Sequence, residues 1–203
     1  MAQPFPLTES ALHQDPILQF QRWFDDAASA GISQPNAMTL ATVSRDGKPS
    51  ARIVLLKRVD KRGFEFYTNF LSRKGKELGG NPHAALVFHW EPLGRQVRIE
   101  GEATKLSPEE SDAYFRSRPV EHQVGAWASS QSEPATREEL DRRYEETKAR
   151  YTGVAVPRPP HWGGIRVIPR AIEFWQRRQA RLHDRIRYER QPDGSWRIQR
   201  LFP

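Results

Sequence analysis

The feature that most constrains this chain is a succession of short β-type runs, separated by turn residues and not alternating with helices. The runs are 37–43 (AMTLATV), 50–59 (SARIVLLKRV), 64–69 (FEFYTN), 83–90 (HAALVFHW), 95–105 (RQVRIEGEATK), 165–169, 171–176, 184–190 and 195–201. Asp46-Gly47, Gly63 and Asp193-Gly194 supply turns between them. A doubly wound parallel sheet needs a crossover helix after nearly every strand, and that rhythm is missing. The pattern predicts a mostly β fold, a β-barrel with peripheral helices, as one domain over 1–203.

Helices are expected in four places. At about 15–30, Asp15 can cap, Pro16 takes the first position, and Ile17, Phe20, Trp23 and Phe24 recur at helical spacing before Gly31. A short helix starts at Ser72 and runs to about 79. Two more open with capping-box patterns, Ser107 with Glu110 and Thr136 with Glu139. The last of these, 137–151, is almost all charged with mixed signs, which predicts a solvated surface helix. A Pro-rich loop at 157–164 precedes the final strands, and residues 1–14 are expected to form a flexible N-terminal segment.

Composition removes several classes of function. No apolar run approaches the roughly eighteen residues of a membrane-spanning helix. The start, MAQPFPLTESALHQDP, has neither the charged nor the apolar region of a signal peptide. The chain has no cysteine, so disulfides, iron–sulfur clusters, Cys-type zinc sites and thiol nucleophiles are excluded. A cytoplasmic protein without a metal is the expectation. The net charge of +7 is concentrated: residues 45–76 hold ten basic against three acidic residues, and 164–203 hold ten against four. Such excess suits either nucleic acid or small phosphorylated ligands.

The basic residues sit inside motifs that favour the second. In RIVLLK (52–57), strict strand alternation puts Arg52 and Lys57 on opposite faces, so one pocket takes both only through a bulge or from two edges. Arg73 and Lys74 open a helix after Ser72, where two cations oppose the helix dipole unless an anion lies between them. Tyr114 and Arg118 are four apart in the helix capped by Ser107, hence on one face, and a phenol with a guanidinium can hold a phosphate. In an extended RLHDR run, Arg181, His183 and Arg185 share a face, and three neighbouring cations call for an anion or an electron-rich ring. Each of these also reads as a solvated or edge-strand cation.

Taken in order, RIVLLK, YTN with SRK, RQV, YFRSRP, GAWAS with QS, WGG, EFWQ and RLHDR resemble the motifs of the pyridoxine 5′-phosphate oxidase family, from about Asp15 to Pro203. The resemblance implies an FMN-binding split β-barrel, a homodimer with FMN in a cleft at the subunit interface. It also implies oxidation of a phosphorylated B6 vitamer by O2, giving hydrogen peroxide. Residue by residue, it assigns FMN to Arg52, Ile53, Val54, Leu55, Leu56, Lys57, Tyr67, Thr68, Arg73, Lys74, Gln96, Gln131, Ser132, Trp175 and Arg185. The substrate phosphate falls to Lys57, Tyr114, Arg118 and His122, and the substrate ring to Arg181 and His183, which are also the catalytic candidates. No specific nucleic-acid partner and no membrane partner are expected.

Four departures all fall on the substrate side. No Arg-x-x-Tyr pair occurs near the N-terminus, Gln34 replaces an acidic residue before Pro-x-Ala-Met, His122 replaces a serine, and Arg177-Arg178 follow EFWQ where the family has glycine. Three readings therefore stay open: a B6-phosphate oxidase, a related flavin oxidase of another planar substrate such as those of phenazine pathways, and a flavin or pyridoxal phosphate carrier.

Overall fold

The computed structural model describes residues 6–203; the first part of the expected N-terminal segment, residues 1–5, lies outside it. Helix α1 (Pro16–Ser29) starts where the Asp15 carboxylate accepts the Ile17 amide at 2.8 Å, and it buries Ile17, Phe20, Trp23 and Ala27. Strands β1 (Ala37–Val43) and β2 (Pro49–Leu55) form a hairpin, followed by β3 (Arg58–Asp60) and β4 (Gly63–Asn69). Helix α2 (Arg73–Gly80) leads to β5 (His83–Trp90) and β6 (Arg95–Lys105). Helices α3 (Pro108–Arg116), α4 (Val120–Ala128) and α5 (Arg137–Arg150) come next, then β7 (Trp162–Gln176), β8 (Asp184–Arg190) and β9 (Trp196–Arg200).

All pairings are antiparallel, in the order β2-β1-β5-β6-β7-β4-β3, with β8 also on β7 and β9 on β8. The sheet curls until β2 touches β4, a half-closed barrel. Phe20, Phe64, Phe66, Phe88, Val97, Ile99, Val167 and Phe174 fill its interior with no exposure. The expected mostly β barrel with peripheral helices is what forms. Among the described residues, no helix is long and apolar enough to cross a membrane.

Several local expectations need correction. The run 50–59 is two strands. At its centre, the Leu56 amide donates to the Asn36 carbonyl and the Lys57 amide to that of Glu65, both at 2.8 Å, which turns Leu56 into the core and ends the alternation. Conversely, 165–169 and 171–176 are one strand, β7, which already starts at Trp162. Its N-terminal half pairs with β4 and its C-terminal half with β8, while β6 runs along both. The interruption is a bulge: Glu100 pairs with Ala171 but Gly101 with Pro169, leaving Arg170 over. The backbones approach so closely there that a Cβ on Gly101 would collide with the Ile168 carbonyl.

Helix α4 was not anticipated; its first turn has no side-chain cap, with Pro119 at the cap position. The described residues of the 1–14 segment are not loose. Leu7 and Leu12 are buried, Glu9–Ala11 form one 3-10 turn, and the Tyr188 hydroxyl donates to the His13 carbonyl at 2.8 Å. Both expected caps form, but only the first as a full box. Ser107 and Glu110 form the full reciprocal box, and Thr136 accepts the Glu139 amide at 3.1 Å. Helix α5 buries no residue and is laced by i,i+4 pairs such as Arg137–Asp141 and Arg142–Glu146.

Candidate active site

A cleft of about 780 Å³ lies between the β2–β4 side of the sheet and the helices α3 and α4. The break at Leu56 brings Lys57 to its wall, together with Ile53, Val54 and Leu55 of β2 and Tyr67 and Thr68 of β4. Three rings form one side: Tyr67 stacks on Tyr114 with centroids 3.8 Å apart, and on Trp162 at 5.4 Å. Burial, then the nearby Glu65 and Tyr114, push the Tyr67 phenol up to about 12, so it stays neutral at physiological pH.

Arg118 is not on α3, as its spacing from Tyr114 suggested. The helix ends at Arg116, and Arg118 follows the C-cap Ser117. It still reaches the same cleft, with its guanidinium carbon 4.6 Å from the Trp162 ring centroid. Its Nη1 is buried and lacks a hydrogen-bond partner, and among the described residues no other buried side-chain nitrogen or oxygen is so placed. Burial lowers its pKa, with Tyr114 opposing that shift. His122 lines the cleft from the first turn of α4.

At one end of the cleft, Ser72 caps α2 by accepting the Gly75 amide. Glu77, one turn in, is the hub of a cluster. It accepts Thr42 Oγ1 at 2.5 Å, Ser50 Oγ at 2.6 Å, Arg73 Nε at 2.9 Å and Arg52 Nη2 at 3.2 Å. Burial opposes its charge, but these four donors outweigh burial and hold the carboxyl at about 2. Lys74 lies beside them, its ammonium 3.0 Å from Gln131 Oε1 and 3.3 Å from Ser72 Oγ. Burial lowers the Lys74 pKa, the Arg52 charge lowers it further, and Glu77 opposes both. Three cations therefore share one carboxylate at the N-terminus of a helix, which leaves room electrostatically for a dianion.

The expected set thus divides. Ile53, Val54, Leu55, Lys57, Tyr67, Thr68, Lys74, Tyr114, Arg118, His122 and Gln131 line one cleft. Arg52 and Arg73 are tied to Glu77 at its edge, and Ser132 Oγ accepts the Arg73 amide at 3.2 Å. Leu56 is in the core. Gln96, Trp175 and Arg185 lie elsewhere, as register partners in a row across β6, β7 and β8. Arg185 is held there by Glu173, through Nε at 2.9 Å and Nη2 at 3.1 Å.

Arg181 and His183 lie near that row, in the loop before β8, and here the extended-run expectation fails. Residues Gln179–Arg181 form a 3-10 turn with Ala180 and Arg181 at φ 54° and 61°, so Arg181, His183 and Arg185 do not share one extended face. The curl is closed by the Leu182 amide on the Gln179 carbonyl (3.1 Å) and the Arg178 amide on His183 Nδ1 (3.0 Å). The His183 ring sits 4.6 Å from that of Trp175. Glu77 and Trp162 escaped the sequence reading. The i,i+4 spacing of Arg73 and Glu77 was a usable signal for the first; nothing local marked Trp162 as more than part of a WGG turn.

With this geometry in place, comparison with known proteins is informative. Residues 24–154 match the family described as pyridoxamine 5′-phosphate oxidase, and residues 162–203 match its pyridoxine 5′-phosphate oxidase C-terminal dimerisation region. A pyridoxine/pyridoxamine 5′-phosphate oxidase of Bordetella petrii is 59% identical over 97% of this chain and 93% of its own. That of Rubrobacter xylanophilus is 58% identical over 97% and 91%. Among solved structures, PhzG from Burkholderia lata, in complex with tetrahydrophenazine-1-carboxylic acid, superimposes with a TM-score of 0.92 at 36% identity over the full length of both chains. A pyridoxamine 5′-phosphate oxidase-related, FMN-binding protein of Nostoc punctiforme shares the fold, with a TM-score of 0.76 at 15% identity over 95% and 100% of the chains. The curled half-barrel, the cleft beneath α3 and α4 and these matches agree, and the chain belongs to the pyridoxamine 5′-phosphate oxidase family.

Proposed function

We propose that this chain oxidises pyridoxine 5′-phosphate and pyridoxamine 5′-phosphate to pyridoxal 5′-phosphate, with FMN as cofactor and O2 as final acceptor. The observation that carries this reading is the buried, unpartnered Nη1 of Arg118, in one cleft with Tyr114 and Lys57. An unsatisfied buried donor costs about 1–3 kcal/mol, a cost that a phosphate oxygen removes. The second anion position, at Arg73, Lys74 and the α2 N-terminus, fits the phosphate of FMN.

FMN, when bound, would supply the redox chemistry: two-electron oxidation at the substrate's C4′ carbon, with O2 reduced to hydrogen peroxide. The chain's own residues bind and orient. Lys57, Tyr114, Arg118 and His122 hold the substrate phosphate. Thr68, Arg73, Lys74, Gln131 and Ser132 hold the cofactor phosphate, with Glu77 fixing Arg52 and Arg73 beneath. The stacked Tyr67, Tyr114 and Trp162 exclude water from that wall.

Gln96, Trp175, Arg181, His183 and Arg185 do not reach this cleft within one chain, so the complete site is assigned to a homodimer in which a second copy supplies them. The match of 162–203 to a dimerisation region supports this, as do the exposed apolar Ile53 and Leu55 at the cleft mouth, which a partner would cover. In an anaerobic mix of the oxidised, FMN-loaded protein with either vitamer phosphate, loss of oxidised flavin absorbance is expected. No reduction by either would overturn the assignment. His122 in place of the family's serine, and the likeness to PhzG, favour a second reading, oxidation of another planar substrate. Reduction by tetrahydrophenazine-1-carboxylic acid but by neither vitamer would select it.

A further inference from the structure

The loop 177–184 is organised around one imidazole. His183 Nδ1 accepts the Arg178 backbone N–H at 3.0 Å. A backbone amide always presents its proton, so the nitrogen facing it must offer a lone pair. The neutral ring then carries its own proton on Nε2. The ring packs against that of Trp175, with centroids 4.6 Å apart.

The loop around it is also pinned. The Arg177 amide donates to the Gly94 carbonyl at 2.8 Å, and the Leu182 amide closes the 3-10 turn. Asp184, next in the chain, accepts the Leu7 amide at 3.1 Å and Arg200 Nη1 at 2.8 Å, and pairs with Arg178 Nε at 3.5 Å. Two non-glycine residues in the left-handed region, Ala180 and Arg181, are strained, and they persist because these contacts over-determine the turn. Such strain is sustained where one geometry is wanted.

We propose that His183 is locked as the neutral Nε2–H tautomer and acts as a fixed hydrogen-bond donor to an acceptor atom of the substrate, not as the base that takes the substrate's proton. A base at Nε2 needs a lone pair there, hence a proton on Nδ1, which would set N–H against N–H across 3.0 Å. The donor role rests on the oxidase reading; the tautomer does not.

The tautomer is tested on FMN-loaded protein without substrate, labelled with 15N-histidine and observed under mildly alkaline conditions. The His183 signals are assigned by their loss in His183→Asn. A protonated Nε2 with an unprotonated, hydrogen-bonded Nδ1 is expected; a proton on Nδ1 overturns the proposal. Turnover gives the second arm. His183→Gln sets an amide N–H near the place of Nε2, and His183→Asn sets one near Nδ1. The Asn variant should have a kcat about tenfold below that of the Gln variant, the scale of one lost neutral hydrogen bond. Equal values, or the reverse order, overturn the donor role. Failure of the oxidase reading would show separately, as wild-type flavin that no vitamer reduces.

Discussion

The two basic regions of this molecule handle charge in opposite ways. On the face of β6, β7 and β8, cations meet carboxylates nearly one for one: Arg185 with Glu173, Arg187 with Glu100, Arg98 with both Glu100 and Glu173, and Arg200 with Asp184. Each of these cations has a carboxylate partner, and the pairs serve to hold geometry. In the cleft, three cations crowd one carboxylate at α2, and the Arg118 guanidinium has a buried nitrogen with no hydrogen-bond partner. A region with more cations than carboxylates suits an anion; one whose cations are each matched to a carboxylate is prepared to stay rigid. A net charge of +7 hides this division, since both regions are strongly basic in sequence.

The largest expected effect tests the excess of cations over carboxylates at α2. Each charge-assisted hydrogen bond to a phosphate is worth about 1.5–3 kcal/mol, so two such contacts should favour FMN over riboflavin by roughly 10² to 10⁴ in affinity. Titration of the flavin-free protein with each compound checks this. Equal affinities would show that the cluster only holds itself together.

Next in size is the cost of losing the hub of that cluster. The Glu77 carboxyl ionises at about 2 when folded, against 4.5 ordinarily, so its charge stabilises the fold fully at neutral pH. As pH falls from about 4.5 towards 2 that contribution, of order 3 kcal/mol, should be lost. Denaturation of the flavin-free protein across this interval should show the decline in wild type and a flatter profile in Glu77→Gln. Parallel profiles would remove Glu77 from the hub position.

For the substrate half, Arg118→Met should lower kcat/KM for a vitamer phosphate by about ten- to a hundredfold, with little change in FMN affinity. The same variant tests whether the two regions work in different subunits. Mixed and re-equilibrated with Arg181→Ala, which is impaired in the other region, it should recover about a quarter of wild-type turnover, because half the dimers then hold one intact site. No recovery would place both regions in the same protomer's site. The smallest effect is expected at His122. His122→Ser should raise KM only a few-fold, since it changes one of four groups assigned to the phosphate subsite and leaves Lys57, Tyr114 and Arg118 in place. Loss of flavin instead would move His122 to the cofactor half.

Most of the candidate cleft was legible because its residues sit in contiguous motifs, and the family resemblance ordered them. What the motifs did not reveal is which basic residues are free. Arg52 and Lys57 look equivalent in RIVLLK, yet Arg52 is tied to Glu77, Thr42 and Ser50, while Lys57 turns into the cleft. Likewise Arg181, His183 and Arg185 alternate as strand residues would, but the first lies in a 3-10 turn and the last is bound bidentately by Glu173.

The sequence by itself determined the features set by neighbours within a few residues. These are the strand runs of β1, β5, β6 and β8, the caps at Asp15, Ser72, Ser107 and Thr136, and the turns at Gly47 and Gly194, whose positive φ glycine tolerates. Tertiary structure alone decided whatever depends on a partner distant in the chain. Asn36 and Glu65 draw the backbone of Leu56 and Lys57 apart and so end β2. The long pairing of β6 with β7 absorbs Arg170, next to Pro169, as a bulge where the sequence reads as two strands. Leu7 is held by Asp184 and Arg200, 177 and 193 positions away, which turns an expected loose N-terminal segment into a strap beside the His183 loop. Local backbone preference is written residue by residue, whereas these outcomes rest on hydrogen bonds and packing whose donors meet their acceptors only once the sheet has curled.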